Sequence, residues 1–214
     1  MPDLQEREKT AQQQFLQDLK QTTLPQHEAL ERNPLSTALM NPELTREQYL
    51  TILQRFYGFV VPVEEQVYPL LASISGNTDK FKRAAMLRED LSILGMSSAE
   101  IDALPLLHTL PPADNVAAAF GIVYVLEGSK LGGQFISRHV GSVLGISPAN
   151  GLRFFTGHGR ETGAIWNEFR YAMADFAVHS EQSAAVIQAA AHTFDAFKTW
   201  LDHGPERIGE RRNV

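Results

Sequence analysis

Apolar residues recur at steps of three and four through almost the whole of this sequence, and nowhere does a run of alternating apolar and polar residues stand between turn residues. The first period belongs to the α-helix and the second to the β-strand, so the pattern predicts an all-α chain. Leu16, Leu19, Thr23, His27 and Leu30 share one face of a first helix over about residues 7–32, which Asn33-Pro34 stops. Pro25 either kinks that helix or makes Thr23 the cap of a second one carrying His27, and the sequence leaves both open. Thr45-Arg46-Glu47-Gln48 is a capping signal for a helix that turns Tyr49, Ile52, Leu53, Phe56 and Phe59 inward, with Pro62 kinking its later half and Gly76-Asn77 as the turn. Thr78 is expected to cap a third helix with Phe81, Ala84, Ala85, Leu87 and Leu91 as its stripe, ended by Gly95. A short helix over 98–104 and a proline-rich loop over 104–112 follow, after which Asp114 is expected to cap a long helix reaching Leu144-Gly145. Residues 154–158 read as irregular, and helices over about 162–179 and 180–203 complete the order. No internal repeat or linker divides the chain, so 1–214 reads as one domain with polar ends.

Composition narrows the chemistry. A 43% hydrophobic and 21% charged content excludes a disordered or collagen-like chain, so folding must come from packing. The absence of cysteine removes disulfides, thiolate metal sites, iron–sulfur clusters and cysteine nucleophiles together, and fits a reducing compartment. The net charge of −6 and scattered Lys and Arg argue against a nucleic-acid partner, which needs a concentrated basic face. The first twenty residues are polar, without the apolar stretch of a signal peptide. The longest apolar run, 116–126, falls short of the roughly 20 residues that span a bilayer and ends at Glu127. A cytoplasmic protein with no membrane partner is the resulting expectation.

The long helix carries the unusual feature. Gly121, Gly128, Gly132 and Gly133 lie within it, and each costs about 1 kcal/mol relative to alanine. Gly128 and Gly132 share a face one turn apart, with Ser129 beside them and a kink invited at Gly132-Gly133. Bare backbone there either lets a neighbouring helix approach closely or leaves a slot for something broad and flat. His27, on an apolar helix face, is either a buried neutral imidazole or an axial ligand, and haem iron commonly takes one neutral imidazole. Lys20, seven residues earlier on the same face, could reach a carboxylate at the slot's edge. No HExxH, paired Glu-x-x-His, P-loop, GxGxxG or GxSxG context is present, and His108, His139, His179, His192 and His203 show no shared ligand spacing.

Thr23-Leu-Pro-Gln-His27-Glu-Ala-Leu-Glu31 resembles the proximal-helix motif of heme oxygenases, and Tyr124-Val-Leu-Glu-Gly-Ser-Lys-Leu-Gly-Gly-Gln134 resembles their glycine-rich distal helix. The length, helical order and separation of the two motifs fit as well, so the resemblance spans nearly the whole chain. The Glu-Gly-Ser-x-Leu-Gly-Gly form is similar to bacterial members that supply bilin to bacteriophytochromes. The resemblance implies a helical bundle holding haem between a proximal and a kinked distal helix. It implies His27 as axial ligand of the haem iron, Gly128, Gly132 and Gly133 against the distal haem face, and Lys20 at a propionate. Arg170, on a later helix with Tyr171, stands near a second propionate partner of the family. Many members carry an aspartate where Ser129 stands, which leaves Ser129 or another side chain to organise the distal waters.

The activity so implied is oxygen-dependent cleavage of haem, both cofactor and substrate, to biliverdin, carbon monoxide and ferrous iron. Gly128, Ser129 and Gly132 would act on the reacting side. No flavin or nicotinamide motif is present, so electrons must come from an external ferredoxin- or flavoprotein-type donor. A thiaminase-like enzyme of the same superfamily would need a cysteine nucleophile, which this chain lacks. A non-catalytic haem carrier could use the same His27 and slot, and an interaction module could use the glycines for packing alone.

Overall fold

Thr45 is a good guide to how local chemistry sets this fold, because its hydroxyl accepts from Gln48 N while Gln48 reaches back to Thr45 N, a complete capping box. The computed structural model describes residues 4–75 and 78–204, and among these there are helices and loops but no β-strand. The helices are α1 (Leu4–Glu31), α2 (Pro34–Ala38), α3 (Arg46–Gln66), α4 (Tyr68–Ser75), α5 (Ala84–Ile93), α6 (Ser98–Asp102), α7 (Val116–Leu144), α8 (Arg153–Thr156), α9 (Thr162–His179) and α10 (Ser183–His203). Single 3-10 turns stand at Asp79–Phe81 and Gly159–Glu161. The all-α expectation holds. The expected turn at Gly76-Asn77 lies outside the described residues.

The helix α7 is the axis of the bundle. It packs along α10 and also touches α9, α8, α4 and α3, while α1 lies across α10 and α9. By length and composition α7 could cross a bilayer, but 67% of its most apolar window is buried in the fold, as a core helix requires. Around it Trp200, Tyr49, Tyr68, Phe59, Phe81, Phe120 and Phe169 are fully buried.

Several local expectations are corrected. Residue 25 does not end α1, which stays helical on both sides of the proline. Thr23 therefore sits inside the helix, its hydroxyl donating to Leu19 O at 2.7 Å, and it caps nothing. Pro62 lies inside α3, and the helix runs on to Gln66 before it breaks at Val67, two residues ahead of Pro69, whose missing N–H suits the first turn of a new helix. Asn115, not Asp114, caps α7, its Oδ1 accepting from Ala118 N, and Gly145 closes the helix at φ 65°. The last helix starts at Ser183 instead of 180.

Two further corrections share one cause. Thr78 makes no capping bond and precedes only the 3-10 turn; α5 begins at Ala84 and is capped from a distance by Glu64 of α3, whose Oε1 accepts from Arg83 N and Ala84 N. Of the stretch 154–158, expected as irregular, residues 154–156 belong to α8, which forms because both oxygens of Asp90 accept its first N–H groups, from Arg153 at 2.9 Å and Phe154 at 2.7 Å. Burial raises the pKa of both carboxyls, and the backbone N–H donors pull the other way.

Candidate functional site

Between α1 and α7 the bundle leaves a cavity of about 920 Å³. Its floor is aromatic, with Phe56 of α3 edge-on to Phe154 and Phe155 of α8 at 5.7 and 5.6 Å. Phe194 and Phe197 of α10 and Trp166 of α9 complete the apolar walls. Lys20, His27, Gly128, Ser129, Gly132, Gly133 and Arg170 all line this one space, so every site residue read from the sequence is brought together.

His27 is not a core histidine. Its side chain is 49% exposed and faces the cavity, with Nδ1 3.7 Å from Glu31 Oε2 one turn on and its ring edge-on to Phe194 at 5.6 Å. An imidazole whose one nitrogen stands beside a carboxylate has the arrangement that fixes a ligating tautomer. Among the described residues that line the cavity His27 is the one histidine, and haem iron commonly takes a single neutral imidazole.

Four of the five glycines of α7, those read from the sequence, separate into two pairs. A Cβ on Gly121 would overlap Val186 O of α10, and one on Gly133 would stand 2.8 Å from Phe155 O of α8. Those two positions serve close backbone packing. At Gly128 a Cβ would make an ordinary 3.6 Å contact with the Trp166 ring, and at Gly132 it would meet nothing within 4 Å. The second pair leaves bare helix on the cavity side. Gly133 thus borders the cavity while its missing side chain makes room for α8.

The polar groups of the cavity lie at its edges. Ser129 donates to Leu126 O of its own helix at 2.7 Å. Tyr124 is bonded to Thr23, which lowers its pKa together with Arg170, although burial raises it on balance. The Arg170 Nε is buried without a partner, an orphaned donor beside an apolar slot, and Lys20 is exposed at the opposite helix. A flat, largely apolar molecule with carboxylates at its rim would satisfy the slot, the bare glycine face and these two cations at once. Haem fits that description. Phe154, Phe155 and Arg83 escaped the sequence reading; an aromatic pair ahead of Gly157 and Gly159 hinted at the first two, while Arg83 stands among ordinary charged residues with nothing to mark it.

The sequence matches the family described as Heme oxygenase over residues 13–203. A heme oxygenase of Xanthomonas campestris pv. campestris is 31% identical over 166 residues, covering 77% of this chain and 94% of that relative. Among solved structures, heme oxygenase from Leptospira interrogans superposes with a TM-score of 0.71 at 17% identity, covering 87% of this chain and 98% of the other. Heme oxygenase-1 from the cyanobacterium Synechocystis sp. PCC6803, solved in complex with heme, gives 0.68 at 14% identity, covering 88% and 90%. With the fold, the cavity and a match over nearly its full length in agreement, the chain belongs to the heme oxygenase family.

Proposed function

We propose that haem is held in the cavity between α1 and α7, with His27 as its axial ligand and the bare backbone at Gly128 and Gly132 against its other face. The enzyme is a heme oxygenase, and its reaction is the oxidative cleavage of haem to biliverdin, carbon monoxide and iron with oxygen as co-substrate. The observation that carries the site assignment is the pairing of a cavity-facing imidazole with a helix face on which a Cβ at Gly132 would meet nothing within 4 Å.

Each residue then has a task. Glu31 Oε2 stands 3.7 Å from Nδ1 of His27, where its charge would favour a proton on that nitrogen and leave the other free as the ligand. Lys20 and the unpartnered Nε of Arg170 bind propionates and set the in-plane orientation, which selects the meso edge that is opened. Gly128 and Gly132 form a steric wall without side chains, and Ser129 offers a hydroxyl beside it. The aromatic floor excludes bulk water.

Heme oxygenases need an electron donor; here we assign a ferredoxin- or flavoprotein-type partner, because the chain has no flavin or nicotinamide motif. The reading also takes 1–214 as one domain working in the cytoplasm, a reducing compartment that suits a chain without cysteine. The Glu127-Gly-Ser-Lys-Leu-Gly-Gly133 form supports a bacteriophytochrome as bilin acceptor.

Ferric haem titrated into the protein should bind one to one, and adding a reductant in air should convert the Soret band to a bilin spectrum. His27→Ala should lose the imidazole signature and most bilin formation even where haem still enters. An unchanged iron–imidazole band in resonance Raman overturns the ligand assignment, and stable haem binding without turnover identifies a carrier.

A further inference from the structure

The chain has no cysteine, so its five methionines carry all of its sulfur. A thioether is the soft nucleophile left in such a protein, and oxidants convert it to the sulfoxide. Met1 lies outside the described residues, and the other four differ in access. Met173 is fully buried in α9. Met86 and Met96 are partly buried against the core, and the Met96 sulfur accepts from Gln54 Nε2 at 3.2 Å. Met40 alone of the four is exposed, at 49%, and it alone lines the cavity.

The segment that carries Met40 holds it in place. Residues 32–45 join α1 to α3 past the cavity, and Ser36, Thr37, Leu39 and Met40 line it. At one end Asn33 Nδ2 donates to Asp202 Oδ1 of α10 at 2.6 Å, and toward the other His139 Nε2 of α7 lies 3.2 Å from Asn41 O. Met40 N donates to Thr37 O at 3.0 Å, and the side chain of Leu39 is buried in the core. With Leu39 anchored inside, Met40 stands at the opening. The exposed large apolar side chains that line the cavity are Leu24 of α1, Met40, and Leu131 and Phe135 of α7, so the thioether belongs to an apolar rim.

Bound haem brings an oxidant to that rim. Oxygen and external electrons meet in the cavity, and oxygen that takes up two electrons and two protons there without opening the ring leaves as hydrogen peroxide. We propose that Met40 is a site of reversible oxidation, its thioether taking one oxygen atom from hydrogen peroxide that leaves the haem cavity, and that the sulfoxide so formed weakens haem binding. The sulfur lone pair attacks one peroxide oxygen, the O–O bond breaks as the S–O bond forms, and the second oxygen leaves as water. Sulfur loses two electrons and peroxide gains them. The product is a polar group in an apolar rim, which disfavours burial against an apolar ligand edge. A methionine sulfoxide reductase returns it to the thioether. The inference rests on the haem-binding reading above and adds to that site a feedback from failed turnover.

Peptide mass spectrometry tests the site first without haem. In apo protein treated with dilute hydrogen peroxide, Met40 should gain one oxygen atom about tenfold faster than Met86 and Met96, with Met173 unreacted. Oxidation of Met86 or Met96 as fast as Met40 overturns the site, with or without a haem cavity. In haem-loaded protein given a reductant in air, Met40 should be oxidised faster than in apo protein given the same reductant, and the difference should vanish when air is excluded. Equal oxidation in the two overturns the cavity as the source of peroxide. Haem titrated into peroxide-treated protein should bind about fivefold more weakly, and a methionine sulfoxide reductase should restore the affinity. Met40→Leu has no thioether at the rim, so peroxide treatment should leave its haem affinity where it was. A loss in treated Met40→Leu equal to that of the treated wild type overturns the effect of the sulfoxide. Untreated wild-type protein that takes up no haem overturns the haem reading and the effect on binding together, and the apo measurement then decides the oxidation of Met40 by itself.

Discussion

The two walls of the cavity are built on opposite terms. On the α1 side the chemistry is carried by side chains at the surface: His27 is half exposed, Lys20 is exposed, and Leu24 beside them is 44% exposed. On the α7 side the wall is backbone, and what supports it is buried, with Gly121 and Gly133 seated on neighbouring carbonyls and Glu127 and Lys130 enclosed. The difference separates tasks. The α1 wall presents groups that gain their partners when a ligand arrives, and the α7 wall is rigid beforehand, as a surface must be to discriminate by shape. Substitutions on α1 should therefore change binding and turnover with little effect on stability, and those behind α7 should do the reverse.

The glycines offer the largest contrast, because both behaviours occur on one helix. Gly132→Leu places a side chain in open space, so the apo protein should hold or gain up to about 1 kcal/mol of stability from better helix propensity. The same change fills the cavity face on which haem is proposed to lie and should lower bilin formation by about 100-fold. Gly121→Leu forces α7 away from Val186 O and should cost about 3 kcal/mol or more. Apo melting temperature and turnover measured on the pair should cross; loss of stability in Gly132→Leu would show that its bareness serves packing.

Next in size is the remote cap of α8. Asp90→Ala leaves the N–H groups of Arg153 and Phe154 unpaired beneath the aromatic floor and should cost about 2–3 kcal/mol. Haem affinity should fall as Phe154 and Phe155 loosen. A variant as stable as the wild type would mean that α8 is held by its side chains alone.

Much of this architecture was legible in the sequence where the signal is local. The helical period, the Thr45 capping box, the Gly145 stop and the two motifs around His27 and Gly128 all act within a turn or two. The failures are long-range. Nothing near Ala84 announces that its cap is a carboxylate 20 residues earlier, and nothing near Phe154 announces one 64 residues earlier. Arg83 was missed for the same reason, since its place at the cavity is fixed by Phe154, 71 residues on, and not by its neighbours in sequence. The two readings of the glycines divide by position: Gly121 and Gly133 pack against carbonyls, and Gly128 and Gly132 leave bare backbone at the cavity.

A smaller effect sharpens the contrast by pH. Burial pushes Lys130 down to about 8, while in the unfolded chain it titrates near 10.4. Between those values the unfolded state holds a proton that the folded state has lost, so stability contributed at this site rises with pH by up to about 1.4 kcal/mol per unit and falls away as pH drops through about 8. Lys130→Met should flatten that rise relative to the wild type. Denaturant titrations at pH 8 and 10 check it, and equal slopes in both proteins would show that Lys130, paired with Glu127 at 2.5 Å, does not set the rise.

The smallest expected effect is at Lys20, and it tests the other wall. Its ammonium is exposed at the cavity edge, so a bond to a propionate there is shared with water and worth about 1 kcal/mol or less. Lys20→Ala should weaken haem binding by about fivefold at most, an effect that shrinks as salt is raised, with no change in apo melting temperature. Orientation is a more sensitive measure than affinity, because two haem rotations about the axis through the iron compete and a fraction of a kcal/mol redistributes them. The ratio of biliverdin isomers should therefore shift even where affinity hardly moves. On the proposed reading Arg170, with its buried and unpartnered Nε, would anchor more firmly, and Arg170→Ala should move both affinity and isomer ratio further than Lys20→Ala. Normal haem affinity with abolished turnover in Lys20→Ala would contradict a purely orienting role and give the exposed wall a part in the chemistry itself.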